Sequence, residues 1–69
     1  MDTNVLKGKW RQLKGEAQKQ WGKLTDDDLD VINGEKEKLL GKLQEKYGHT
    51  KEAAQEEYER WESGWRDRL

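Results

Sequence analysis

The side chains with catalytic potential in this chain are few and poorly matched. His49 is the only histidine, cysteine is absent, and 15 aspartates and glutamates are spread over 69 residues. A nucleophile activated by a base needs a Ser, Cys or Thr beside a histidine, and one turn histidine before Thr50 offers little material for that. His49 reads as an exposed turn residue near Glu45 and Glu52 in sequence. Carboxylate pairs suitable for acid–base work are inevitable at this acidic content and point nowhere in particular. Asp26, Asp28, Asp30 and Glu37 fall at positions 1, 3, 5 and 12 of a calcium-loop pattern, but Val31 stands where that loop needs glycine for its sharp turn. The same aspartates suit the positive first turn of a helix, which is the expectation here. No catalytic residue, metal site or cofactor is assigned.

Binding chemistry has more to work with. Lys7, Lys9, Arg11 and Lys14 surround Trp10, a combination that can place an aromatic ring and cations on one anionic partner. These five residues form the hypothetical binding face. Trp10 also shares a helical stripe with Leu13 and Trp21, so its first expected role is core packing. Residues 1–24 carry a net charge of +4 and residues 25–69 a net of −5, which fits either an anionic partner or charge complementarity within the fold. A pI near 5.8 argues against nucleic acid, whose binding domains are typically strongly basic. Tyr58, Trp61 and Trp65 with Arg60, Arg66 and Arg68 could suit a lipid interface, but Glu56, Glu57, Glu59, Glu62 and Asp67 on the same segment oppose anionic lipid. Glu56–Arg60 and Glu62–Arg66 have the spacing of ordinary surface ion pairs. The macromolecular partner stays open, with no membrane and a monomer expected.

The elements that position these residues are legible from an internal repeat. Residues 8–22 recur as 34–48 in the frame G-x4-L-x-G-x2-Q-x2-[WY]-G, and each copy leads to a threonine, Thr25 or Thr50. Proline is absent and β-branched residues are scarce, so strands are not expected. Leu6, Trp10, Leu13, Ala17 and Trp21 recur at helical steps, as do Leu39, Leu40, Leu43 and Tyr47, then Ala54, Tyr58, Trp61, Trp65 and Leu69. A short second segment offers Leu29, Val31 and Ile32. Gly22 and Gly48 sit where a left-handed residue ends a helix. Thr25 and Thr50 fit helix N-caps, Asn33 fits a cap for the third helix, and Leu24 and Leu29 have hydrophobic-staple spacing. Gly15 and Gly41 lie inside helices at a cost of about 0.5–1 kcal/mol each relative to alanine, which suggests close helix contact or a bend.

The expected fold is all-α: four helices at about 4–21, 26–32, 35–47 and 51–66, arranged as two crossed helical hairpins in one domain over residues 1–69. Leu, Ile, Val and Phe number only 11 of 69 residues, half of a disorder signature, but the net charge is −1 and four tryptophans supply large apolar area. A small folded domain follows. No run of about 18 apolar residues is present, and Met1-Asp2-Thr3-Asn4 lacks the features of a signal peptide, so a cytoplasmic location is expected.

Gly8-Lys9-Trp10-Arg11-Gln12-Leu13-Lys14-Gly15, followed by Gln20-Trp21-Gly22-Lys23-Leu24-Thr25-Asp26-Asp27-Asp28, resembles the CsbD-like family of small bacterial stress-response proteins. The likeness continues through Gly34, Leu39, Gly41, Lys42, Gln44, Tyr47-Gly48 and Trp61 and is greatest to the short enterobacterial-type members. Leu13 departs from the pattern, where the family often has an aromatic residue. The resemblance implies a bundle of crossed helical hairpins and induction under general stress. It implies no catalytic residue, cofactor or defined partner. The expected function is therefore that of a non-enzymatic stress-response protein acting by abundance or by binding a macromolecule. The alternatives are a hydrophilic protectant working through solvation (mean hydropathy is −1.43) and a module that binds an anionic partner through its first helix.

Overall fold

Two threonines set the start of two helices. Thr25 Oγ1 accepts from the Asp28 N–H at 3.1 Å, and the Asp28 carboxylate accepts in return from the Thr25 N–H at 2.9 Å. This reciprocal box satisfies two donors that a helix N-terminus otherwise leaves open. Thr50 Oγ1 accepts from the Ala53 N–H at 3.1 Å. The computed structural model describes residues 6–67. Its helices are α1 (Trp10–Gln20), α2 (Asp26–Ile32), α3 (Lys36–Tyr47) and α4 (Lys51–Arg66), and no strand occurs among the described residues.

The bounds of α2 and α4 are those the spacing predicts, and α3 starts one residue later. The first helix differs more. Residues 6–8 form a helical turn, but Lys9 leaves helical geometry at φ −111° and ψ 13°, so the expected run of 4–21 is broken (residues 4 and 5 lie outside the described residues). The break coincides with a close backbone approach. A Cβ on Gly34 would stand 2.8 Å from Lys7 Cα and 3.1 Å from Trp10 Cβ. The turn after α2 therefore seats against the chain where it passes from residue 7 to α1.

Three other expectations are corrected at the helix ends. Gly22 does not adopt a left-handed conformation; α1 ends through Trp21 at φ −123°, whose N–H still reaches Ala17 O at 2.8 Å. The Leu24 N–H then bonds to Trp21 O at 3.0 Å and closes the turn without a glycine. Asn33 does not start α3; it ends α2 at φ 47°, in the left-handed region that asparagine tolerates better than most residues, and Glu35 precedes α3 without a side-chain cap. Gly15 and Gly41 make no close contact: a Cβ at either position would meet nothing within 4 Å. Gly48 ends α3 in the left-handed conformation expected of it, at φ 70°.

The stripes converge on one core. Trp10, Leu13 and Ala17 of α1, Leu29 and Ile32 of α2, Leu39, Leu40 and Leu43 of α3, and Ala54, Tyr58 and Trp65 of α4 are buried together. Leu6, Trp21 and Leu24 join them from the connecting segments, so both members of the expected staple are inside. Val31 points the other way and is 52% exposed. Leu69 lies outside the described residues. α3 packs along α4, and α2 against α3. No helix among the described residues is long and apolar enough to cross a membrane.

Candidate binding face

The basic segment is divided by the packing of α1. Lys7 and Arg11 are exposed, Lys9 is half-buried at the break, and Trp10 is turned into the core at 7% exposure. Lys14 is half-buried and reaches Asp30 Oδ1 of α2 at 3.3 Å. The surface of this segment thus carries cations without its aromatic ring. The stripe of α1 explains the ring, since Trp10 stands three residues before Leu13 on the buried side, whereas Lys7 precedes the break at Lys9 and Arg11 follows it, both exposed.

Two aspartates of the calcium-like pattern, Asp28 and Asp30, hold helices together. Asp28 is buried, with Lys46 Nζ 2.9 Å from Oδ2 and Lys42 Nζ 3.2 Å from Oδ1. The Thr25 N–H and the Lys46 ammonium, aided by Lys42, hold the Asp28 carboxyl well below the usual carboxylate range. Asp28 in turn raises the Lys42 ammonium above its ordinary value. One carboxylate therefore caps α2 and fastens it to two successive turns of α3. No group of three or more His, Asp or Glu residues among the described residues has the arrangement of a metal site.

His49 is not the exposed residue that its turn position suggests. It is half-buried, its ring stacks on Tyr47 at 5.6 Å between centroids, and Nε2 lies 3.1 Å from Glu57 Oε2. That separation suits an ion pair when His49 is protonated, although the angles there do not make a hydrogen bond. The other oxygen of Glu57 accepts from Trp21 Nε1 at 2.8 Å. Glu57 therefore joins the end of α1, the turn after α3 and the face of α4. Tyr47 is enclosed from the far side: its hydroxyl accepts from the Lys23 N–H at 3.1 Å, and Lys23 Nζ stands 5.1 Å from its ring centre. Sequence spacing does not show these links, because Trp21 and Glu57 are 36 positions apart.

Trp61 is the hub of an aromatic cluster. It meets Trp21 at 5.0 Å, Trp65 at 5.5 Å and Tyr58 at 5.8 Å, always edge-on. Such pairs contribute about 0.5–1.5 kcal/mol each beyond the area they bury. Beside the cluster, Glu16, Lys19 and Gln20 of α1 face Arg60, Trp61, Gly64 and Trp65 of α4 across a cleft of about 350 Å³. The expected Glu56–Arg60 pair is not among the ion pairs of the described residues, whereas Arg66 stands 3.9 Å from Glu62. Trp65 Nε1 is buried and meets no acceptor among the described residues.

The described residues form an all-helical fold with a tryptophan cluster, helices tied by charge, and exposed cations on either side of the break before α1. The chain belongs to the CsbD-like family, whose sequence profile matches residues 4–56. This is a general stress-response family. The chain is 53% identical over 62 residues to the UPF0337 protein ECA0631 of Pectobacterium atrosepticum, covering 90% of each. It is 46% identical over 63 residues to the UPF0337 protein YjbJ of Escherichia coli K12, covering 91% of each. The UPF0337 protein PA4738 of Pseudomonas aeruginosa is 54% identical over 57 residues, 83% of this chain and 88% of the relative. No solved structure matches the chain significantly.

Proposed function

We propose that this protein is a non-enzymatic, cytoplasmic stress-response protein that acts by abundance or by binding another macromolecule. It does so as a monomeric single domain over residues 1–69, with the repeat generating two crossed helical hairpins. The observation that carries this reading is how the side chains with catalytic potential are used. Glu57 accepts from Trp21 and faces His49, and Asp28 caps α2 while holding Lys42 and Lys46. Groups fixed in this way hold helices together rather than standing free to act as a base.

If a partner binds, it is anionic and meets Lys7 and Arg11, with Lys9 and Lys14 at the edge of the contact and Trp10 supporting it from the core. A pI near 5.8 disfavours nucleic acid as that partner. Mean hydropathy of −1.43 favours the second reading, a protectant acting through solvation, but the buried tryptophans oppose it because solvation alone needs no core. An affinity pulldown from stressed bacterial cells separates these readings. A specific partner is expected to be released at high salt and lost with a Lys7→Glu, Arg11→Glu double variant. Capture unchanged by salt and by the variant removes the basic face. Reproducible turnover of a metabolite that one substitution abolishes removes the non-enzymatic reading.

A further inference from the structure

We propose that the cleft between α1 and α4 binds a small aromatic monoanion, its ring against Trp61 and Trp65 and its carboxylate between Lys19 and Arg60. This site is separate from the basic face and does not depend on it. Four observations meet there. The first is size: about 350 Å³ lies within the range of small-molecule sites, and two tryptophans are among its lining residues. The second is charge. Lys14, Lys38, Lys42, Lys46 and Arg66 are ion-paired, and Lys23 and Lys36 stand over the rings of Tyr47 and Tyr58. Lys19 and Arg60 line the cleft and have no ion pair among the described residues. With Glu16 on the same wall, the cleft keeps one net positive charge, which one carboxylate neutralises.

The third observation is an incomplete wall. Trp65 is 3% exposed, yet its indole N–H has no acceptor among the described residues. A buried donor is rarely left so, because losing its bond to water carries a desolvation penalty. An oxygen in the cleft becomes the acceptor for this donor only when the indole turns, because the nitrogen itself is covered. The fourth is space. Gly64 lines the cleft from within α4, where glycine weakens a helix, and a Cβ there would meet nothing within 4 Å. The absent side chain leaves that wall open. The apolar rings take the ligand's body and the cations take its head, which is the division of labour expected of a small-molecule site.

The test is a titration of the full-length, ¹⁵N-labelled protein with 2-naphthoate, followed by the four indole N–H resonances. Two controls separate ring from charge: 2-naphthamide has the ring without the charge, and acetate has the charge without the ring. Trp→Phe variants assign the peaks. Saturable shifts of the Trp61 and Trp65 resonances with 2-naphthoate, and much weaker ones with either control, are expected. Lys19→Gln and Arg60→Gln should each weaken binding about three- to tenfold, between the effects of an exposed ion pair and of a charge-assisted hydrogen bond. Gly64→Leu should abolish binding while leaving the protein at least as stable, since leucine is the better helix former. The proposal is overturned by no saturable shift, by equal binding of 2-naphthamide, or by binding that survives Gly64→Leu.

Discussion

Gly34→Ala should be among the most damaging single-methyl additions in this protein, and three glycines allow its cost to be taken apart. Gly34 has φ +79°, a region that costs an L-residue about 1–2 kcal/mol. The added Cβ would also lie 2.8 Å from Lys7 Cα, a backbone atom that cannot rotate away. Overpacking of that kind costs about 1–3 kcal/mol. The expected loss is therefore about 2–5 kcal/mol, against a total stability of about 3–10 kcal/mol for a chain of this length. Gly48 has a similar φ of +70° but open space around it, so Gly48→Ala should show only the torsional part, about 1–2 kcal/mol. Gly41 is helical with open space, and Gly41→Ala should stabilise by about 0.5–1 kcal/mol. Urea and thermal unfolding followed by far-ultraviolet circular dichroism would rank the three. At about 4–8 °C per kcal/mol, Gly34→Ala lowers the midpoint by about 8–40 °C. Gly34→Ala equal to Gly48→Ala would refute the close contact at Lys7, and a destabilised Gly41→Ala would refute the open space in the middle of α3.

The carboxylate of Asp28 makes the fold sensitive to acid. Its folded pKa lies well below the unfolded value of about 3.9, so the stability it contributes is complete above that value and fades as the pH falls below about 4. Melting temperatures from pH 7 to pH 2 should therefore show a gap between the natural protein and Asp28→Asn that narrows below about pH 4; a constant gap would count against the ion-paired cap. Thr25→Ala should cost about 1–2 kcal/mol and Thr50→Ala about 0.5–1 kcal/mol, because only Thr25 belongs to a reciprocal box. Equal losses in urea titrations would show that the box adds nothing to the single cap.

Local chemistry was readable from the chain, and distant pairing was not. Thr25 and Thr50 act on amides three residues ahead, so their spacing alone predicts the caps. The stripe through Leu6, Trp10, Leu13, Ala17 and Trp21 likewise predicts burial, although not the break at Lys9, which coincides with the seating of Gly34 on residue 7. The same limit applies to charge. Glu56 and Arg60 have good helical spacing and form no pair, whereas Asp28 reaches Lys42 and Lys46 across two elements. The helical positions of Gly15 and Gly41 point to close contact there, but Gly34 is the glycine that meets a neighbour. In the candidate face, burial of Trp10 followed from its stripe, while the Lys14–Asp30 pair needed the fold to bring α1 beside α2.

The edge-on cluster around Trp61 also governs how the molecule handles light. Indoles 5.0 and 5.5 Å apart exchange excitation faster than they emit, so Trp21, Trp61 and Trp65 behave optically as one coupled chromophore. Trp21 belongs to the end of α1, and the other two belong to α4. A change in the polarisation of tryptophan emission therefore reports on the separation of these two helices. The protein carries a built-in gauge of its own docking, which an event in the neighbouring cleft would register without an added dye.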